Sequence, residues 1–453
     1  MNSTPAPRRV GDTAAPLSTA YADQLEARRK RFQRTARHPG SDFTGADQKL
    51  REQVAQIVAN QHDDMVSLLE EIHSYAETAF EEYRSADAIV RALREHGLPA
   101  TTGVHGLDTA IRSEITGAGD GPTIAVLSEY DALPGIGHGC GHNVIAVIGL
   151  GAYLALAELA RRDPAAVPGR VVFLGTPAEE GHTGKEYMAR AGAFDDLDAA
   201  MMVHPSDNDV AEQLWLGRRT LTVRYAGRPA HASAQPFMGR NALDAAALLY
   251  QAIGLMRQQT PPSDRIHAII TEGGDRASII PDHAQLALYV RSADVATLRE
   301  LSHRVDDAAR GAALMTGCTV EITWDEQPAS LSVRANEALT GRWVVAQRER
   351  GREPLPRGVV SDTLAASTDF GNVSHLVPGI HPVIAIADGG TALHTREFAQ
   401  AAITDRARDA AADAAYGLAA TALDVLHDPA LARAMREEFE AAGGRVAVKG
   451  YFD

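Results

Sequence analysis

Cys140 and His142 stand two residues apart in GIGHGCGHN. A thiolate and an imidazole are good ligands for Zn²⁺ or a similar divalent ion. Residues i and i+2 do not share a helix face, so the pair suits a loop or a helix entry. Alone it reads equally well as a buried free cysteine beside a helix-capping histidine. Glu179 and Glu180 follow the apolar stretch RVVFLGTPA. Adjacent carboxylates at a strand end face opposite ways, so one can bind metal while the other stays free as a base. Taken singly, the pair reads more simply as two solvated glutamates opening a helix, where acids suit the dipole. His204 closes MMVHP, and His394 sits in GGTALHT. Each alone is more often structural than a ligand. Together the four clusters offer a cysteine, three histidines and a glutamate pair, enough for two metal ions that share a ligand.

All four clusters follow short apolar runs, in TIAVLSEYDALPG, RVVFLGTPAEE, AAMMVHPSD and HPVIAIADGG. Continuous apolar strands separated by helical segments predict an α/β fold with a mostly parallel sheet covered by helices. Ligands bind beyond the carboxyl ends of such strands, so the clusters should share one sheet edge. Between the third and fourth clusters the pattern changes. RTLTVRYAG alternates, with Leu221, Val223 and Tyr225 on one face. The order that follows is β-α-β-β-α-β, a ferredoxin-like unit. The expected division is an N-terminal arm over 1–44, a discontinuous metal-binding catalytic domain over 45–217 and 329–453, and an inserted dimerisation or lid domain over 218–328. Within the arm, Tyr21 to Arg34 reads as one charged helix. From Asp47 to Glu95 helical spacing dominates, with Val54, Ile57, Val58, Val66, Leu68, Leu69 and Ile72 as its apolar positions.

The 453 residues are 45% hydrophobic and 23% charged, an ordinary globular composition. The net charge of −15 argues against a general nucleic-acid binder. Two cysteines cannot build a disulfide framework, and a reducing compartment is the simpler expectation. The longest apolar run, Val144 to Ala157, is 14 residues, short of the about 18 of a membrane span. The first residues lack a secretory core, and Asn2 excludes N-myristoylation. The expectation is a cytoplasmic protein with no membrane and no nucleic-acid partner.

The strings EYDALPGIGHGCGHN, GTPAEEGHTGK, GRPAHASAQPFMGRNALDA, ASIIPD and STDFGNVSHLVPGIHP, with LHT, resemble a known family. It is the group of cocatalytic metallopeptidases that holds glutamate carboxypeptidases and aminoacylases. The most similar branches are the Xaa-Arg (β-alanyl-lysine) dipeptidases and the aminobenzoyl-glutamate hydrolases. The resemblance runs from about residue 70 to about residue 425, in the family's order. It implies two divalent ions per chain, Zn²⁺ or Mn²⁺ first and Co²⁺ or Ni²⁺ also acceptable to this mixed ligand set. Cys140 matches the bridging ligand, and His142, Glu180, His204 and His394 match the others. Glu179 matches the general acid/base. His231, in PAHAS, matches a histidine lent across a homodimer. Arg291, in LYVRS, matches an arginine for the substrate's carboxylate; a surface salt bridge on a strand is the other reading. Asn241 falls in a GxNA motif at the substrate edge, though a helix N-cap is an equal reading.

The implied activity is hydrolysis of an amide bond in dipeptides or N-acyl (N-aroyl) amino acids. Two metals lower the pKa of water and polarise the scissile carbonyl, and a free carboxylate moves the proton. A positioned donor such as His231 can stabilise the oxyanion. Ser278 stands where the family usually has Asn, and His182 where the branch has Gly or Asp. Cys318 reads as packing, and His73 has no assigned role. Two rival readings remain. One makes Cys140 a nucleophile with His142 as its base. The other is a non-catalytic, metal-dependent binding protein on the same scaffold.

Overall fold

The computed structural model describes residues 18–362 and 365–452. The expected N-terminal arm therefore lies outside the described residues up to position 17. Helix Ala20–Gln33 buries none of its residues and is tied to the body by Arg29, whose Nη1 donates to Asn208 at 3.0 Å. Helix Gln48–Asn60 starts at Asp47, whose carboxylate accepts from Lys49 N–H, and buries Val54, Ile57 and Val58. Helix His62–Tyr75 buries Met65, Leu68, Leu69 and Ile72. Met65, not Val66, completes that stripe, since i, i+3, i+4 and i+7 share a face.

The larger sheet has six strands. From edge to edge they are Thr101–Thr102, Ile111–Thr116, Arg170–Gly175, Thr123–Ser128, Ala199–Met201 and Gly379–Ile380. The last four run parallel. The first two join antiparallel, so the sheet is mixed where a mostly parallel one was expected. The strand after His381 also differs from expectation. Val383–Ala385 pairs with His204–Ser206 in a separate two-stranded ladder. Pro382 has no N–H to donate, so the ladder from Gly379–Ile380 breaks there. His204 consequently opens a short strand instead of closing one.

Helix His142–Arg162 is long and apolar enough to cross a membrane by length and composition, yet 89% of its apolar window is buried inside the protein. It lies directly on the central strand. A Cβ at Gly149 would stand 2.4 Å from the carbonyl oxygen of Leu127, so only glycine permits that approach. Helix Asp405–His427 packs against it. The clusters on the two faces of the sheet share no residue.

A second sheet orders its strands Thr319–Trp324, Gly217–Ala226, His283–Ser292 and Arg265–Glu272, all antiparallel. Helices Ala242–Met256 and Val295–Thr316 cover one face. Leu221, Val223 and Tyr225 point into that core, as the alternation predicts. The chain enters and leaves this unit side by side: Arg218 and Ser330 exchange both backbone hydrogen bonds, at 2.7 and 2.9 Å.

Three buried histidines outside the expected ligand set predict how the fold responds to acid. Burial pushes His138 down to about 3 and His375 to about 4, and drives His381 well below its ordinary value. His138 is bonded as a neutral ring, with Nε2 toward the Ile72 carbonyl and Nδ1 accepting from Asn143 N–H. The unfolded rings take a proton near 6.5, whereas the folded ones stay neutral to much lower pH. The unfolded state thus binds more protons between pH 6.5 and about 4. Stability is complete above that window and falls as pH drops through it, by about 1.4 kcal/mol per pH unit for each ring. Urea unfolding from pH 7 to pH 5 should show this decline. A profile that stays flat would mean either that the rings carry charge in the fold or that carboxylates raised by burial, such as Glu82 at about 7, offset them.

Candidate metal centre and its cavity

His142 is the first residue of its helix, and Gly141 before it is left-handed (φ 77°). A Cβ on Gly141 would meet Pro205 at 2.6 Å, so glycine is what lets the Cys140 turn sit against the His204 strand. The Cys140 Sγ lies 3.4 Å from His204 Nε2. The other nitrogen of His204, Nδ1, faces the Pro205 carbonyl at 2.7 Å, which leaves Nε2 free as a lone-pair donor to an ion. His142 is oriented the same way, with Nδ1 held at 2.9 Å by Asp131 Oδ1. The second oxygen of Asp131 accepts the Glu180 N–H at 2.8 Å. One buried aspartate thus fixes both the ring of His142 and the strand-end turn that carries the glutamates. Carboxylate partners of this kind orient metal-binding imidazoles and raise their basicity.

Glu180 Oε1 stands 3.4 Å from His394 Nε2 and 3.9 Å from His142 Nε2. His394 is held by its N–H on the Gly139 carbonyl at 2.8 Å and has φ 62°, an uncommon conformation for a residue with a side chain. Ala178, just before the glutamate pair, is left-handed too (φ 60°), and its N–H is tied at 2.9 Å to buried Glu82. Three overlapping sets of donor atoms result: Cys140–His142–His204, Cys140–Glu180–His394 and His142–Glu179–Glu180, each with its atoms within 4.8 Å.

These residues fit divalent ions. His142 Nε2, Glu180 Oε1 and Glu129 Oε2 are buried without a hydrogen-bond partner, an arrangement that costs free energy unless something positive sits among them. The donor set mixes thiolate, imidazole and carboxylate, which suits Zn²⁺ and neighbouring transition ions. The electrostatics agree. Burial raises Glu179 well above the ordinary carboxylate value, and the charges of Glu129 and Glu180 add to it. Burial raises the Cys140 thiol, as does Glu180. Burial lowers His204 to about 3, helped by the charge on His142. His142 rises despite burial, because Asp131 and Cys140 face it. The acids crowd together short of positive charge, and bound cations would supply it.

Glu129, Lys185 and Asp369 complete the surroundings, and sequence reasoning passed over all three. Lys185 Nζ, fully buried, pairs with Glu129 and lies 2.6 Å from Asp369 Oδ1. Glu129 Oε2 is in turn 3.5 Å from His142 Nε2. Asp131 was also passed over, although its place in EYDALPG, one strand end from the glutamates, was the available signal.

A cavity of about 370 Å³ opens over this centre; Cys140, Glu179, Glu180, His204 and His394 line it, and Arg291 faces them from the second sheet. His231 is not among its lining residues. It is exposed, and its Nδ1 accepts from Ser233 and Ala234 N–H, so Nε2 carries the proton and can donate outward. Asn241 is the N-cap of helix Ala242–Met256, its side chain accepting from Leu243 and Asp244 N–H. His182 packs edge-on against Phe80, and His73 Nε2 meets the Ala399 carbonyl. The Ser278 carbonyl accepts from Ala232 N–H beside His231, and Cys318 packs at the rim of the second core.

Comparison with known proteins gives one consistent result. The sequence pattern of peptidase family M20/M25/M40 matches residues 125–418. The chain is 38% identical over 411 residues to a Mus musculus protein named Xaa-Arg dipeptidase, covering 89% of this chain and 95% of that one. It is 30% identical to a protein of Escherichia coli (strain K12) named as one of the subunits of p-aminobenzoyl-glutamate hydrolase, covering 82% and 91%. A Bacillus subtilis crystal structure, described as a dinuclear metal binding peptidase from the M20 family, shares the fold with TM-score 0.61 at 21% identity. The match covers 79% of this chain and 98% of that one.

Proposed function

The chain belongs to peptidase family M20/M25/M40 and is a metal-dependent amidohydrolase, and we propose that it holds two divalent ions and cleaves dipeptides or N-acyl (N-aroyl) amino acids. The observation that carries this reading is the convergence of Cys140, His142, Glu180, His204 and His394 around partnerless buried donor atoms. In this reading Cys140, which has a place in two of the three donor sets, would be among the residues that hold the ions. When bound, the ions supply Lewis acidity toward the scissile carbonyl and toward water. Glu179, half-buried beside them and not needed as a ligand, takes the proton of the attacking water and returns it to the leaving amine. Arg291 presents a two-pronged donor to the substrate's carboxylate. His231 of the partner subunit would enter the cavity and donate from Nε2 to the developing oxyanion. Asn241 then shapes the substrate edge as a helix cap.

In the same proposal, residues 218–328 are an inserted ferredoxin-like unit that closes over 45–217 and 329–453 and forms a homodimer. Among the described residues its edge strand Arg265–Glu272 has an unpaired side, and it exposes Ile269 and Ile270; Tyr250 and Leu255 lie exposed on helix Ala242–Met256. Apolar exposure along an open edge suits a second copy of the chain. Both cysteines are free, which suits the cytoplasm.

A Cys140 nucleophile is the weaker reading. Thiol enzymes lower the thiol pKa with nearby positive charge, whereas here burial and Glu180 raise it. The two named relatives also differ over the residue released, a basic amino acid in one name and glutamate in the other. Chelation tests the reading directly. Protein stripped of metal, with the loss verified, should lose hydrolysis of a dipeptide and acyl-amino-acid panel, and Zn²⁺ or Mn²⁺ should restore it. Full activity after verified stripping would contradict the reading.

A further inference from the structure

The cavity read above as the amide-hydrolysing site also carries a signature of what it takes, and the inference rests on that reading. Arg218, Arg291 and Arg265 lie directly opposite one another on three adjacent strands, since Arg291 pairs in register with both. Directly paired residues of antiparallel strands point to one face, and like charges so placed repel. The face is the one turned away from the covering helices: the alternate residues, Val290 and Ile266, lie buried in the core beneath. All three arginines line the cavity that holds the metal ligands.

A row of three guanidinium groups normally has acids to balance it, and this one has none bonded to it among the described residues. Arg218 donates to the Thr183 hydroxyl at 2.7 Å, and Arg265 to the Asp264 carbonyl at 2.8 Å. The carboxylate of Asp264 is engaged elsewhere, accepting from Ser292 at 2.8 Å. The Nε atoms of Arg218 and Arg291 are buried with no hydrogen-bond partner, although both guanidinium groups lie over the Tyr289 ring, 5.6 and 5.1 Å from its centroid. The ring offsets only part of the repulsion, and buried donors without hydrogen bonds on neighbouring cations favour an anion between them. One α-carboxylate accounts for one arginine. The remaining pair calls for a second carboxylate on the same residue.

We infer that the three-arginine row selects substrates whose released amino acid is a dicarboxylate, of the aspartate or glutamate class, with the α-carboxylate on Arg291 and the side-chain carboxylate held by Arg218 and Arg265. A lysine or arginine side chain there would face three like charges. The chain's net charge of −15 favours cations only at long range, and salt screens that within about 8 Å. Contact with the row decides selectivity.

The test compares matched N-benzoyl derivatives of glutamate, glutamine and lysine on the metal-loaded enzyme, with calorimetry of the three free amino acids alongside. The expected kcat/KM for the glutamate derivative exceeds the glutamine derivative at least tenfold and the lysine derivative at least a hundredfold. In Arg265→Gln the glutamate-to-glutamine ratio should fall toward one, in both rate and binding. Equal or better cleavage of the glutamine or lysine derivative would overturn the inference while leaving the amidohydrolase reading intact. If none of the three is cleaved yet glutamate binds at least tenfold more tightly than glutamine and lysine, the hydrolytic reading of the site fails and the selectivity of the row stands. Absence of any binding preference together with absence of cleavage would overturn both.

Discussion

Glu179→Gln should lower kcat by about 10²–10⁴-fold while leaving metal content and KM nearly unchanged. The amide is isosteric with the carboxylate, so the half-buried position beside Glu180 keeps its packing. What it lacks is the ability to accept a proton. Glu180, His394 and Cys140 form one donor set without Glu179, and Cys140, His142 and His204 form another. Neither should therefore lose its ions. The backbone that aims the carboxylate is separately secured, because Ala178 N–H is held by Glu82 and Glu180 N–H by Asp131. Steady-state kinetics together with metal analysis of the same preparation measures both halves. Full activity in the variant would remove Glu179 from the chemistry. Loss of metal along with activity would make it a ligand instead.

Lys185→Met should cost about 3–5 kcal/mol of folding stability, the usual penalty for breaking a buried ion pair by removing one partner. Lys185 Nζ is the cation between Glu129 and Asp369, and all three side chains are excluded from water. Burial disfavours the charged Lys185, but the two carboxylates outweigh it and raise its pKa. Without it two carboxylates face each other in the dry interior, beside an already acid-rich centre. Replacing all three, as Lys185→Met with Glu129→Gln and Asp369→Asn, should recover most of the loss, because no unpaired charge is then left buried. Urea unfolding measures both variants. A cost below about 1 kcal/mol in the single variant would show that water or a shifted proton already compensates the cluster.

The residues that gather around the cavity could be found in the sequence because their clusters lie beyond apolar runs, and strand ends in α/β folds deliver side chains to one edge. The alternation of Leu221, Val223 and Tyr225 announced the second sheet for the same local reason. What depends on pairing between distant segments was not legible. Nothing in TLTVRY or ALYVRS says that Arg218 stands opposite Arg291, and only the register shows three arginines in a row. Lys185 in TGKEYM resembles a solvated helix start, yet it is the cation of a buried triad. The antiparallel edge of the main sheet was hidden because Ile111–Thr116 has only two apolar residues, with Arg112, Ser113 and Glu114 in succession between them. The shift of His204 from the end of one strand to the start of another followed from Pro382, whose missing N–H acts across strands, not along the chain. Asn241 shows the limit of motif reading: the residue caps a helix, whatever edge the motif lies near.

Cys140, His142, Glu180, His204 and His394 are expected to hold two divalent ions. Metal content per chain, measured by mass spectrometry on protein purified without chelator and on Cys140→Ser beside it, tests this most directly. About two divalent ions per wild-type chain are expected, sharply reduced in the variant because Cys140 stands in two of the three donor sets. No bound metal in either protein, even after addition of Zn²⁺ or Mn²⁺, would contradict it.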